Sequence, residues 1–141
     1  MKDMSGMFIT ASSLFFNGDI SKWDMSSVKK MSGMFFATSL FNSDISKWDV
    51  SSVTTMHFMF RQAILFSGDI SKCDFSSVQD MSGAFLTASS FNSDISKWGV
   101  SSVTSMSGMF REATLFNSDL SKWDLSQVIT MLETFRKATS F

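Results

Sequence analysis

The chain has 141 residues, of which 44% are apolar, and its formal net charge is −1 at pH 7. This length suits one domain, and the apolar fraction is large enough for a packed core, which excludes a disordered low-complexity tract. The near-neutral charge gives no indication of a basic surface that would bind nucleic acid. No apolar run approaches the roughly 18 residues of a membrane span.

One sequence unit is repeated along the whole chain. Its copies are 25 residues apart after a first copy of 27 residues, and they begin near Met4, Met31, Met56, Met81, Met106 and Met131. A fixed period of this kind is typical of solenoids, in which each unit packs on its neighbours. We therefore predict one repeat solenoid domain over residues 1–141. Because neither end has a polar cap, we expect a fragment of a longer array, with end faces that permit end-to-end self-association.

The first half of each repeat has a pattern typical of an α-helix. In the third repeat Val53, Met56, Phe60 and Ala63 are spaced by three, four and three residues, which is the apolar stripe of a helix. A serine pair precedes the stripe and suits the N-cap. The pattern predicts a helix of about 11 residues, roughly Ser52 to Ala63, which is too short to be stable without packing.

The second half of each repeat predicts a turn and a short strand. In the second repeat Phe41-Asn42-Ser43-Asp44 favours a turn, and Ile45 to Val50 contains the alternation of a strand. Asparagines at the turn predict a ladder that bonds to the turn backbones, through Asn17, Asn42, Asn92 and Asn117. The predicted fold class is α/β, a right-handed solenoid with one short helix and one short parallel strand per coil.

Aspartates recur at two positions of the repeat, Asp19/44/69/94/119 and Asp24/49/74/124. Acidic loops can bind calcium, which takes oxygen ligands. The repeat lacks the glycine-rich nonapeptide of calcium-binding rolls, so we favour turn capping and predict no metal.

Aromatic side chains also allow two interpretations. Trp23, Trp48, Trp98 and Trp123 could form a platform for ligand rings, but they align with constant apolar positions, which favours core packing. Cys73 takes the remaining position in this series, where we predict a buried thiol and a partial cavity.

Nothing in the sequence indicates catalysis. His57 is the only histidine, so the serines have no partner for a catalytic triad, and neither a phosphate-binding loop nor a dinucleotide fingerprint is present. We predict no enzyme activity, no catalytic residues and no cofactor.

Two sets of basic residues are candidates for contact with a protein partner. Lysines recur at one position of the first five repeats, where we favour a solvated charged edge over a regular row of charges that contacts a ligand. Arginines follow the predicted helical phenylalanine at a position that varies between repeats and should face outward. The candidates are Lys22, Lys47, Lys72, Lys97, Lys122, Arg61, Arg111 and Arg136.

The motifs Phe-Asn-x-Asp-Ile, Trp-Asp-Val-Ser-x-Val and Met-x-x-Met-Phe recur in order from Met4 to Phe141. In these motifs the chain resembles the BspA-like repeat of bacterial surface proteins, also called the DUF285 repeat of mycoplasma lipoproteins. The resemblance implies a leucine-rich-repeat-like coil without catalytic residues, and association with cell-surface attachment.

The resemblance leads us to expect a non-enzymatic protein-binding module of the surface or adhesion type. The alternatives are an intracellular interaction scaffold and a structural spacer in a longer surface protein. By resemblance the location is the cell surface or the exterior, although the sequence enters the repeat at once and shows no signal peptide.

Overall fold

The computed structural model describes residues 2–9 and 15–141, in which successive repeats lie on one another. One residue of each repeat pairs in parallel with its counterpart in the next, and each pairing is an isolated bridge. The bridging residues are Asp3, Lys30, Thr55, Asp80, Ser105 and Thr130. The described residues contain no α-helix and no strand longer than one bridging residue.

The predicted right-handed α/β solenoid, with one helix and one strand per coil, is therefore wrong. The segment predicted as a helix, Ser52 to Ala63, is a run of turns. The segment predicted as a strand, Ile45 to Val50, forms no bridge, and the bridge of this repeat lies at Thr55, inside the predicted helix. A leucine-rich-repeat-like α/β coil is likewise not what the chain forms.

Positive backbone φ angles explain why no helix forms. Phe58 and Gln62 have φ values of 54° and 60°, whereas an α-helix needs a negative φ at every residue. Each is the third residue of a four-residue turn, and the turns close through Met59 N–H to Met56 C=O and Ala63 N–H to Phe60 C=O, both at 3.0 Å. The same positions have positive φ at Gly33 and Ala37, Gly83 and Thr87, Gly108 and Glu112, and Glu133 and Lys137.

Alternate backbone N–H groups of this turn run bond to the next repeat. In the third repeat four N–H groups donate to carbonyls of the fourth over 2.8–3.0 Å: Met56 to Asp80, Phe58 to Ser82, Phe60 to Ala84, and Gln62 to Leu86. The corresponding bonds join the second repeat to the third, the fourth to the fifth and the fifth to the sixth. The donors that a helix would use internally therefore hold neighbouring repeats together.

Two rows of phenylalanine rings form the centre of the core. Within the third repeat the rings of Phe60 and Phe66 are stacked with centroids 4.1 Å apart, and Phe60 lies 5.4 Å from Phe85 of the next repeat. Both rows are fully buried in the interior repeats, together with the constant valines and methionines. The apolar positions that the sequence marks as core are therefore in the core, although the backbone that carries them is not helical.

Candidate functional site

The turn run of each repeat presents two rows of side-chain positions that differ between repeats, and we call this surface the turn face. The first row is the second residue after the opening methionine: Gly6, Gly33, Phe58, Gly83, Gly108 and Glu133. The second row is the fifth residue after it: Ile9, Phe36, Arg61, Leu86, Arg111 and Arg136. All members of the second row are half-buried or exposed, so aromatic, aliphatic and charged side chains lie side by side on one surface.

Arg61 lies over two aromatic rings of the turn face. Its guanidinium carbon is 5.1 Å from the ring centre of Phe36 and 4.8 Å from that of Phe58, within the range of a cation–π contact. The ring of Phe58 in turn covers Gly83, where an added Cβ would overlap it. This part of the turn face is therefore filled by its own side chains.

A cavity of about 220 Å³ opens beside Phe58, where two glycines follow each other in the first row. No described atom lies within 4 Å of a Cβ built on Gly108, so the missing side chain leaves real space. The lining is mainly apolar, with one basic and one acidic side chain at its rim. It consists of Phe58, Gly83, Leu86, Ser107, Gly108, Arg111, Leu132 and Glu133.

Ion pairs hold the charged rim in position. Arg111 Nη1 lies 2.6 Å from Glu133 Oε2, and Arg136 Nη1 lies 2.6 Å from the other oxygen of the same carboxylate. Glu112 lies 3.5 Å from Lys137 Nζ and 3.7 Å from Arg111 Nε. Such half-exposed pairs contribute at most about 1 kcal/mol each to stability, but together they restrict the arginines. Of the three candidate arginines, Arg111 lines the cavity and Arg61 and Arg136 do not.

The candidate lysines lie elsewhere, on the loops that follow the asparagine ladder. All five are exposed: Lys22, Lys47, Lys72, Lys97 and Lys122. Hydrogen bonds from a serine lower the pKa of the aspartate three residues before each lysine, and the positive charge of the lysine lowers it further. None of these five lysines is among the residues that line the turn-face cavity.

The aspartates cap turns, as the sequence suggests. Ser21 donates to Asp19 Oδ1 twice, through its hydroxyl at 2.7 Å and its N–H at 3.0 Å, and these bonds lower the pKa of that carboxyl. The same bonds from the serine two residues later lower the pKa at Asp24, Asp44, Asp69, Asp74, Asp94, Asp119 and Asp124. Across the described ranges, no three His, Cys, Asp or Glu side chains are grouped so as to hold a metal ion.

The asparagine ladder is confirmed where its members are consecutive. The N–H of Asn42 donates to Asn17 Oδ1 at 2.8 Å, and Asn117 donates to Asn92 in the same way. Ser67 donates to Asn42 at 3.0 Å. These bonds join the turns of neighbouring repeats, so the amides serve structure on this edge.

The tryptophans are core groups, and the ligand-platform alternative is wrong for the interior pair. Trp48 and Trp98 are both 4% exposed, and their indole N–H groups donate to the carbonyls of Ile20 and Ile70 in the preceding repeat. Cys73 is buried in the same slot, and burial together with the charges of Asp69 and Asp44 raises the pKa of its thiol to about 11. Its thiol is therefore a poor nucleophile at neutral pH.

Sequence reasoning missed the turn-face cavity, although a signal for it is present. The segment Met-x-x-x-Phe contains glycine at its third position in four of the six copies, at Gly6, Gly33, Gly83 and Gly108. Glycine destabilises the interior of a helix but favours a positive φ, so its recurrence indicates a turn. Recognising that turn would have placed the second row, which contains the three arginines, beside the glycines of the first row.

Comparisons with known proteins agree with the motifs of the repeat. Neither a curated protein nor a solved structure matches the chain. In the part of the chain that the structure describes, no helix is long and apolar enough to cross a bilayer. A family described as "Mycoplasma protein of unknown function, DUF285" matches residues 1–85 and 65–141. Because these two overlapping matches cover the whole sequence, the chain belongs to the DUF285 family.

Proposed function

We propose that this chain is a non-enzymatic protein-binding repeat module that receives an apolar side chain of its partner in the turn-face cavity. The observation that carries the proposal is the cavity itself, with its apolar lining and its rim of Arg111 and Glu133. Apolar pockets with a few fixed polar groups are typical of recognition sites. A buried apolar anchor supplies much of the affinity of protein interfaces.

Differences between the repeats support a binding role over a spacer role. The core positions, turn serines and aspartates recur almost unchanged, whereas the second row of the turn face contains isoleucine, phenylalanine, leucine and arginine. A spacer needs only regular stacking, and nothing in that role explains why one face differs from repeat to repeat. A binding face explains it, because each repeat can present a different side chain to a different part of the partner.

We place the module at the cell surface, with an intracellular scaffold as the alternative. The support is the likeness of the repeat to those of BspA-like bacterial surface proteins. Protease treatment of intact source cells, followed by detection with an antibody to the repeat, tests the location. Loss of the antibody signal before lysis agrees with a surface module. A signal that survives until the cells are lysed contradicts the surface location and favours the scaffold.

The binding proposal is tested with two variants that each remove one positive charge. Arg111→Gln changes the rim of the cavity, and Lys97→Gln changes the lysine edge. The chain is first titrated against a panel of purified extracellular matrix and host-surface proteins, and each ligand found is then titrated against both variants. We expect Arg111→Gln to raise the Kd at least tenfold, about 1.4 kcal/mol, and Lys97→Gln to leave it unchanged. A ligand that responds only to Lys97→Gln assigns binding to the lysine edge and overturns the turn-face proposal.

A further inference from the structure

We propose that Arg61 binds an aspartate or glutamate side chain of the protein partner, next to the place where the turn-face cavity receives the apolar anchor. This inference rests on the proposed function and adds to it the charge of the residue beside that anchor. The partner segment that fits the turn face is therefore acidic as well as apolar.

Arg61 is held in position without an anionic partner among the described residues. Its guanidinium carbon lies 5.1 Å from the ring centre of Phe36 and 4.8 Å from that of Phe58. Such contacts restrict the side chain but satisfy none of the five N–H donors of a guanidinium. In the described ranges the Nε of Arg61 is buried without a hydrogen-bond partner, and none of the ion pairs includes this arginine.

The other two arginines of the same row show what an arginine binds on this surface. The carboxylate of Glu133 lies 2.6 Å from Arg111 Nη1 and 2.6 Å from Arg136 Nη1. Glu112 Oε1 lies 3.7 Å from Arg111 Nε. Guanidinium and carboxylate groups match in charge and in geometry, and their hydrogen bonds are stronger than those between neutral groups. Both arginines therefore have a carboxylate from their own repeat or from the next one.

Arg61 lacks all three of these carboxylate contacts because other residues take the equivalent positions. Gly83 replaces the glutamate of the following repeat, and Gln62 replaces the glutamate beside the arginine. Phe58 replaces the glutamate three residues earlier, and its ring covers Gly83. The surroundings of Arg61 thus retain the arginine and lose the acids, so a carboxylate for this arginine has to come from another molecule.

The acidic side chains of the third repeat are bonded elsewhere. Asp69 and Asp74 accept the N–H of the serine two residues later, at 2.9 and 3.0 Å. Asp80 accepts the N–H of Ser82 at 2.8 Å. Each carboxylate of this repeat is therefore held by a contact other than Arg61.

The ring of Phe58 connects Arg61 to the turn-face cavity. Phe58 lines the cavity together with Gly83 and Leu86, and the guanidinium of Arg61 lies over the same ring. An apolar side chain in the cavity would therefore bring its neighbours in the partner close to Arg61. The two rows of the turn face contain three arginines and one glutamate, so their charge is complementary to an acidic segment.

Peptide selection tests the charge preference of this surface. A phage-displayed library of random peptides is selected against the unmodified chain and against Arg61→Gln and Lys72→Gln, which each remove one positive charge from the third repeat. A melting curve confirms that each chain is folded. On the unmodified chain and on Lys72→Gln, we expect peptides in which an acidic residue lies next to an apolar one. On Arg61→Gln the apolar residue should remain enriched, whereas the acidic residue should not.

Titration of one selected peptide measures the strength of the contact. The peptide is synthesised with its acidic residue and with the corresponding amide. Loss of the carboxylate should raise the Kd about tenfold for the unmodified chain and for Lys72→Gln, and should leave the Kd for Arg61→Gln unchanged. Arg61→Lys should show an intermediate effect, because it keeps the charge without the planar guanidinium. This variant takes the place of Arg61→Gln if the latter does not fold.

The possible failures of the two proposals differ. Acidic peptides that bind the unmodified chain and Arg61→Gln equally well overturn the assignment to Arg61. Peptides that carry the apolar residue without an acidic neighbour, and that bind Arg111→Gln more weakly, overturn the carboxylate site but leave the protein-binding proposal in place. Selection that enriches no peptide sensitive to either arginine variant contradicts both proposals.

Discussion

Trp48 is held in the core by two different interactions. Its ring is 4% exposed and lies 6.1 Å from the ring of Phe35, and its indole N–H donates over 3.0 Å to Ile20 in the preceding repeat. The ring therefore fills space between repeats while its one polar group remains satisfied.

Truncation of this side chain should be costly. We expect Trp48→Ala to lower the free energy of unfolding by about 3–5 kcal/mol, the usual range for emptying an aromatic core site. Trp123→Ala is the matched control, since Trp123 donates the equivalent bond but is only half-buried, and its loss should be smaller. Urea denaturation measures both. A loss below about 1 kcal/mol at Trp48 would show that the ring is a surface group and would revive the ligand-platform interpretation.

The exposed aspartates make stability depend on pH in a defined direction. Serine hydroxyls and N–H groups that donate to Asp44, Asp69 and Asp94 lower the pKa of each carboxyl below 3.8. The folded chain therefore binds fewer protons than the unfolded chain near that pH. The contribution to stability is fully present above the unfolded pKa and is lost as pH falls through the lower folded pKa values.

Replacement by asparagine tests this dependence without removing the turn cap. Asn accepts the same N–H bond but does not titrate. We expect the urea midpoint of the unmodified chain to fall as the pH drops below 3.8. The triple variant Asp44→Asn, Asp69→Asn, Asp94→Asn should lose less over the same interval. Equal acid sensitivity in the two chains would show that these turns do not contribute to it.

At the scale of the element, the observed run of turns buries the same side chains that a helix would bury. Met56, Met59, Phe60 and Ala63 are all buried, and their spacing of 0, 3, 4 and 7 is that of a helical stripe. The periodicity of apolar residues indicates which residues face the core, and both an α-helix and this run of turns produce the same periodicity. The core positions could therefore be predicted from the sequence, whereas the backbone could not be predicted from this pattern alone.

The cavity was beyond prediction for a related reason. It is assembled from residues of four successive repeats, of which Phe58, Leu86, Arg111 and Leu132 are examples. Their proximity depends on the turn backbone, and a helix would have placed the second row of the turn face differently. The arginines could be named as outward-facing, but the space beside Gly108 follows only from the positive φ of its repeat.

Substitution of a glycine distinguishes the turn backbone from an α-helix, because the free energy of unfolding should change in opposite directions. Gly108 has a φ of 63° and open space around an added Cβ, so Gly108→Ala introduces backbone strain without a clash. We expect a loss of about 1–2 kcal/mol in the free energy of unfolding, the cost of a left-handed conformation for an L-residue. In a helix the same change would instead gain roughly 0.5–1 kcal/mol.

The reverse substitution supplies the control. Thr87 has a φ of 60°, so Thr87→Gly should keep or raise stability here, whereas it would weaken a helix. Urea denaturation of both variants provides the comparison. A gain at Gly108→Ala together with a loss at Thr87→Gly would contradict the turn backbone.

For the whole molecule, stability comes from repeated contact between neighbours. Each interior repeat donates four backbone bonds to the next and shares two phenylalanine rows with both neighbours. In such an arrangement the total stability is close to a sum of equal interface contributions.

The central claim is that these repeats stack through turns and contain no α-helix in residues 2–9 and 15–141. Far-UV circular dichroism of the purified, folded chain tests it most directly, because a helical segment in every repeat would dominate the spectrum. We predict a cooperative melting transition and a spectrum without the double minimum of an α-helix. A helical double minimum of the depth expected if Ser52 to Ala63 and its counterparts were helical would contradict the account.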